Sequence, residues 1–378
     1  MHITLRRTSI AVSYAILTAS IHAVAQRGTA AAPADATARI VAAANAVTAS
    51  LDETGRGKLL FKFDDSEQRT RWSNLPTGIV PRKGIRLGDL TPPQRAAVTA
   101  LLQVALSTDG YRKVTEIMGG DEVLRTTDGG RGPRGGGPPG GGPPNGGPPN
   151  GGPPNGGGRG GRGPGGGGGP MFGKDEYYLA FLGAPSTTTP WMLQFGGHHL
   201  AINLTLGGAQ VSMTPSLPAA QPATYTFEGK EIRPLGKEND KAFALINALE
   251  ADKRSKAILN YRVSDLVLGP GQDGRVIQPE GLQASAMSAT QQTALMEIVR
   301  EWAGIMNDAY AEPRMAEIRR SLPQTWFAWS GPTTNGSVAY FRIQGPTLVI
   351  EYAPQGSVDH IHTIYRDPTN DYGAKFAK

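Results

Sequence analysis

The stretch Trp191–Leu206, with the sequence WMLQFGGHHLAINLTL, carries the pattern that indicates the fold class. Apolar residues predominate at 191–195, where Gln194 is the exception, and again at 200–206, where Asn203 and Thr205 are the exceptions. Gly196-Gly197 begin the break between the two runs. Short apolar runs separated by a glycine-containing turn are typical of antiparallel strands. Together with a third run at Tyr177–Leu182, they predict a three-stranded antiparallel unit.

Helical patterns precede this unit. Apolar residues of Ala36–Leu51 recur at helical spacing, and Thr91-Pro92-Pro93 is a typical helix start, a capping residue followed by prolines in the first turn. The combination of helices and antiparallel strands indicates an α+β protein. The full set predicted for the first half is helices at 36–51, 91–106 and 111–124, a short strand at 59–63 and a long loop at 64–88.

The same order of elements recurs in the second half of the chain. The predicted helices are Gly236–Leu259, Ser288–Tyr310 and Pro313–Arg320, and the predicted strands are Trp326–Trp329, Val338–Ile343 and Thr347–Tyr352. The matching positions are Thr91-Pro92-Pro93-Gln94 with Ser288-Ala289-Thr290-Gln291, 197 residues apart, and Gly183 with Gly331 and Gly197 with Gly345, each 148 residues apart.

These offsets predict an internal duplication of a helical pair plus a three-stranded antiparallel unit. The first repeat spans about 91–206 and the second about 288–352, within a single α+β domain over 26–378. A chance resemblance between two unrelated α+β stretches is the alternative.

The N-terminal segment Met1–Ala25 has the features of a secretory signal peptide. Arg6-Arg7 precede an apolar stretch, and Ala23-Val24-Ala25 matches the small-x-small pattern of a cleavage site. We therefore expect an exported protein, periplasmic or extracellular, with an amphipathic N-terminal helix as the alternative. Downstream, no segment has the length of apolar sequence that a membrane span needs, so none is expected in the mature protein.

The segment Gly129–Pro170 is a compositionally biased insertion. Its 42 residues contain 24 glycines and 11 prolines, which leaves almost nothing apolar to bury and predicts disorder. Its four arginines, with Arg6 and Arg7, account for the formal net charge of +6. The predicted domain is therefore close to neutral, and no nucleic-acid partner is expected. The chain has no cysteine, which excludes thiolate metal sites and cysteine nucleophiles.

Histidine is concentrated at two places outside the leader, namely His198-His199 and His360-Ile361-His362. Imidazole is a common metal ligand, so His198, His199, His360 and His362 are candidate ligands for a divalent ion such as Zn, Mn, Fe or Cu. Residues two apart on a strand face the same side, which lets His360 and His362 meet one ion. By strand phase His198 belongs to the apolar face and is expected to drop out first. Structural histidines that cap strand ends are the alternative.

Downstream of the second pair, Arg366, Asp367 and Asp371 are the candidate catalytic residues. Asp367 or Asp371 is predicted to act as a carboxylate ligand or general base, and Arg366 to anchor a substrate. The alternative for Asp367-Pro368-Thr369-Asn370 is an ordinary type I turn, with Asp first and Pro second.

Several segments together resemble the domain-of-unknown-function family numbered 3500. They are Phe63-Asp64-Asp65, Arg82-Lys83-Gly84, Gln194 to Leu200, His360-Ile361-His362 and Arg366 to Gly373. The resemblance spans about Ala36 to Tyr372 and implies the extent of the domain, without an activity.

The favoured function is that of an exported metal-binding protein, acting as a metal-dependent enzyme on a small molecule or polymer. The first alternative is a non-catalytic module that binds an anionic or sugar-like ligand. The second is a surface protein whose Gly/Pro segment contacts the envelope.

Overall fold

The computed structural model describes residues 32–127 and 171–377. The predicted signal peptide and the predicted disorder of 129–170 fall outside the described residues. The helices are α1 (Pro33–Ser50), α2 (Glu53–Leu59), α3 (Ser66–Thr70), α4 (Pro92–Ala105), α5 (Thr108–Thr127), α6 (Gly236–Asn247), α7 (Ala251–Ala257), α8 (Ala289–Ala303) and α9 (Asp308–Arg320). The strands are β1 (Leu60–Phe61), β2 (Ile85–Arg86), β3 (Tyr178–Leu182), β4 (Trp191–Gly197), β5 (Leu200–Gly207), β6 (Gln210–Ser212), β7 (Leu217–Pro218), β8 (Tyr225–Phe227), β9 (Lys230–Ile232), β10 (Leu282–Gln283), β11 (Trp326–Ser330), β12 (Tyr340–Gly345), β13 (Leu348–Pro354) and β14 (Ile361–Arg366). The α+β class is confirmed.

The first sheet has the order β1-β3-β4-β5-β6, with β2 beside β3 and β7 beside β5. Alternate side chains of β5 explain its packing: Leu200, Ile202 and Leu204 enter the core formed with α1, α4 and α5, whereas Ala201 and Asn203 lie on the other face. The second sheet has the order β10-β11-β12-β13-β14, and its apolar face packs on α6, α8 and α9.

The two halves place equivalent elements at equivalent offsets. Capping boxes start α4 and α8, and each satisfies backbone groups that a helix N-terminus leaves without partners. Gly183 follows β3 and Gly331 follows β11, both with positive φ (80° and 122°). Gly197 pairs with Leu200 as Gly345 pairs with Leu348, so β3, β4 and β5 of the first half match β11, β12 and β13 of the second. An origin of the two halves by duplication stays a prediction.

The halves contact each other through a reciprocal pair of backbone hydrogen bonds. The amide of Ser107 donates to the carbonyl of Ile305, and the amide of Asn307 donates to that of Ala105, each at 3.0 Å. These residues lie at the connection between α4 and α5 and at the connection between α8 and α9. The two connections, which are equivalent in the two halves, are therefore in contact.

The sequence patterns located some boundaries wrongly. The helix expected over 236–259 is two helices, α6 and α7, and the helix expected over 288–310 ends at Ala303 before α9 begins. Strand β14 was not predicted, because all six of its residues are buried and it lacks the polar alternation of a half-exposed strand. Within the described ranges, the helices are all too short or too polar to cross a bilayer.

Candidate metal centre

The segment around β7 lies between the two sheets and sets the geometry of the site. On one side β7 pairs with β5, where Leu200 lies opposite Pro218. On the other side, bridges join the same segment to β14 at Ser216–Tyr365 and Ala220–Ile361. Thus β5, this segment and β14 run side by side, which brings the beginnings of β5 and β14 to the same end.

Extending these registers by one residue places Ala219 between His199 and His362. The amide of Ala219 donates to the carbonyl of His199 at 2.8 Å. Residues in one row of neighbouring strands face the same side, and His360, two residues before His362, shares that side. Ala219 also packs with Ala201 and Trp72 in a small apolar cluster on this face, away from the helices. Ala219 is fully buried, and it is the residue with the smallest side chain in the row that runs from His199 to His362.

Three histidines meet there. The Nε2 atom of His360 lies 3.0 Å from Nε2 of His199 and 3.0 Å from Nε2 of His362. One ligand nitrogen from each residue falls within 4.8 Å of the others. A neutral imidazole nitrogen is either a donor or an acceptor, so Nε2 of His360 cannot satisfy both neighbours with hydrogen bonds. A cation that accepts a lone pair from each nitrogen satisfies all three at once, and the donor set therefore fits a metal ion.

The electrostatics keep these rings in the ligand form. Burial, followed by the imidazoles of His198, His362 and His360, lowers the pKa of His199 well below its usual value. Burial also lowers the pKa of His360 to about 4, with His362 and His198 adding to the effect. At neutral pH both rings are therefore neutral and offer the lone pair that metal binding requires.

The turn between β4 and β5 explains how adjacent histidines diverge. Gly197 pairs with Leu200, so His198 and His199 are the two turn residues. His199 has φ of 57°, in the left-handed region that non-glycine residues rarely adopt. Such strained backbone conformations are concentrated at functional sites. Here the strained residue is the one whose side chain extends towards His360.

His198 does not belong to the group of three. Its Nδ1 atom lies 2.6 Å from Oδ1 of Asp121 on α5, and both side chains are almost fully buried. Its backbone carbonyl accepts a hydrogen bond from the Tyr177 hydroxyl at 2.8 Å. His198 nevertheless stays close to the cluster, because its ring centroid is 3.7 Å from that of His199.

Two neighbours of the imidazoles were not anticipated from the sequence. Asp265 places Oδ1 3.3 Å from Nδ1 of His362, the position of a carboxylate that orients a metal-binding histidine. Asn74 places Nδ2 3.1 Å from Nε2 of His362, and its carbonyl accepts from the amide of His199 at 3.3 Å. Both residues lie in long loops without periodicity, so no sequence signal identified them.

Arg366, Asp367 and Asp371 lie at the opposite end of β14. Arg366 is four residues beyond His362, which corresponds to about 13 Å along a strand. Its guanidinium donates to Asp371 and Asp273, each at 2.9 Å, and to the carbonyls of Leu268 and Gly269. These contacts tie the C-terminus to the 258–281 loop.

Asp367 is also held by local contacts. It accepts hydrogen bonds from the amide and hydroxyl of Thr369 and forms an ion pair with Arg314 at 3.1 Å. The amide of Asn370 donates to the carbonyl of Asp367, which is the hydrogen bond that closes a turn over Asp367-Pro368-Thr369-Asn370. The three residues are thus not brought to the imidazoles, and their catalytic role stays a prediction.

The family model described as "Protein of unknown function (DUF3500)" matches residues 33–374, and the chain belongs to this family. No curated protein and no solved structure shows significant similarity to the chain.

Proposed function

We propose that the protein binds one divalent transition-metal ion through the Nε2 atoms of His199, His360 and His362. The observation that carries the proposal is the pair of 3.0 Å separations that converge on His360. First-row ions bind imidazole nitrogen at about 2.0–2.1 Å, which requires ligand nitrogens to lie roughly 3 Å apart. Because imidazole suits Zn, Cu and Fe whereas Mn prefers oxygen, the all-nitrogen set favours the first three of the expected metals.

The site has the character of a catalytic rather than a structural centre. Three protein ligands leave a coordination position for water or substrate, whereas structural zinc sites are closed by four. His360 is only partly buried and Asp265 is largely exposed, so the site has an approach from solvent. An ion bound there supplies Lewis-acid chemistry, and Asp265 would orient His362 through Nδ1.

We therefore infer a metal-dependent enzyme that acts on a small molecule or polymer. Its location outside the cytoplasm is part of the proposal and is supported by the sequence pattern of Met1–Ala25 alone.

Elemental analysis of the purified protein tests the metal site. We expect about one ion per chain, and a near-complete loss of that ion in His199→Ala and His362→Ala. His198→Gln is the matched control. It replaces the neighbouring histidine, which is hydrogen-bonded to Asp121 and is not one of the three ligands, so this variant should keep the metal. Full metal content in both alanine variants would reject the proposal.

A further inference from the structure

A small pocket lies one row away from the imidazoles on the same face of the first sheet. Tyr178, Gly196 and Ala201 lie side by side in β3, β4 and β5 and line it. Ala201 is two residues from His199 in the chain, and Arg82 on the far side of the pocket donates to the carbonyl of Gly197 at 3.1 Å, directly before the two turn histidines. The 71–83 loop forms the opposite wall. The pocket is thus a direct neighbour of the candidate metal centre.

The walls of this pocket are strongly basic. Arg71, Arg82 and Lys83 line it, together with Trp72. Arg71 and Lys83 share a single carboxylate, that of the exposed Glu67. Three cations and one anion leave an excess of positive charge around the pocket.

Arg82 is the most unusual of the three cations. Among the described residues, the recorded hydrogen-bond partners of its guanidinium are all carbonyl oxygens, namely those of Ser73, Leu75, Val80 and Gly197. Burial without a paired carboxylate lowers its pKa to about 10. Buried charges in proteins are normally paired, so this guanidinium lacks a counter-ion that a ligand can supply.

Arg71 offers a second unsatisfied group. Its Nε atom is buried, and none of the described residues accepts a hydrogen bond from it. Guanidinium groups bind carboxylate and phosphate oxygens through charge-assisted hydrogen bonds. A basic pocket with a free guanidinium donor is therefore suited to an oxyanion rather than to a neutral sugar.

We propose that this pocket binds the carboxylate or phosphate group of an anionic substrate whose reacting atom lies at the metal centre. The second half of this statement rests on the proposed function, whereas anion binding by the pocket does not. The substrate is thus a small molecule or chain end whose oxyanion lies several bonds from the atom that reacts.

Arg82 is unsuited as the first residue to substitute. It holds the carbonyls on either side of Asn74, and Asn74 contacts both His199 and His362. Its loss would disturb the loop and the imidazoles together. Lys83, which is exposed, and Arg71, which is partly exposed, are better probes.

The experiment is a calorimetric titration of the metal-depleted full-length protein with inorganic phosphate and, separately, with acetate, at low ionic strength. At least one of them is expected to bind, and the tighter one identifies the substrate group as phosphate or carboxylate. Lys83→Gln and Arg71→Gln should each weaken binding at least threefold. Arg95→Gln removes the same charge from an exposed ion pair with Asp175 and should leave the affinity unchanged.

Three outcomes would overturn the pocket assignment. They are no binding of either anion, equal weakening by Arg95→Gln, or binding that neither Lys83→Gln nor Arg71→Gln weakens. Anion binding to the metal-depleted protein, combined with failure of the metal analysis above, would keep the pocket and reject the metal-dependent enzyme.

Discussion

The Nε2 atom of His360 lies 3.0 Å from that of His199, although 161 residues separate them in the chain. His199 precedes β5 of the first sheet, and His360 precedes β14 of the second. An ion held by both therefore joins the two halves of the molecule, and it can bind only when the sheets are packed as in the native state. The free energy of metal binding then adds to the free energy of unfolding.

Metal removal should lower the stability of the folded protein. A free ion at about 100 times its Kd contributes about 2.7 kcal/mol to the free energy of unfolding. We expect the melting temperature to fall after chelation, to recover on adding Zn²⁺, and to be insensitive to chelator in His362→Ala. Differential scanning calorimetry measures all three. A chelator effect of equal size in the variant would show that the stabilising ion binds elsewhere.

Enlarging Ala219 should displace the imidazoles. Ala219 is fully buried in the row between His199 and His362, so the methyl groups of Ala219→Val would enter the space that their rings use. We expect reduced metal content together with an overpacking cost of about 1–3 kcal/mol. Ala328→Val makes the same volume change at a fully buried position of β11 and should keep the metal. Equal metal loss in the two variants would indicate general destabilisation.

Part of this site could be predicted from the sequence, and part could not. The convergence of His199, His360 and His362 follows from two histidine-rich segments and from the two-residue period of a strand. Their register depends on the segment around Ala219, and β7 has only two residues, too short for any periodic pattern. The expected carboxylates, Asp367 and Asp371, are close in sequence to His362. They nevertheless bind Arg314 and Arg366 instead of the histidines, because they follow the end of β14 that is opposite to His362. Asp265 reaches His362 from a loop 97 residues upstream.

Glu351 should make stability depend on pH. Burial raises its pKa to about 7, and this effect exceeds the opposing hydrogen bonds from the amides of Val267 and Leu268. The folded state therefore binds the proton more tightly than the unfolded state, whose Glu pKa is about 4.3. The stability that this group contributes is full below about pH 4 and is lost as the pH rises to about 7.

Urea denaturation at pH 5 and pH 8 measures this dependence. Replacement by Glu351→Gln should reduce the loss of stability between the two pH values, on the order of 1 kcal/mol or more. Glu231→Gln, at an exposed position of β9, is the control and should behave as the unmodified protein. Parallel pH profiles for Glu351→Gln and the unmodified protein would contradict the assignment.

The buried ion pair between Lys113 on α5 and Glu238 on α6 should be sensitive to the loss of one partner. The side chains are 3% and 0% exposed, and Lys113 also donates to the carbonyl of Glu301 at 2.7 Å. Lys113→Met leaves the Glu238 carboxylate buried without its cation, which typically costs about 3–5 kcal/mol. The double variant Lys113→Met/Glu238→Met removes both charges and should recover most of that loss, because apolar replacement of a whole buried pair is often neutral. Denaturant unfolding of the unmodified protein and the two variants at neutral pH gives the comparison. A double variant no more stable than Lys113→Met would mean that packing by the lysine stem, rather than the unpaired carboxylate, dominates the free energy.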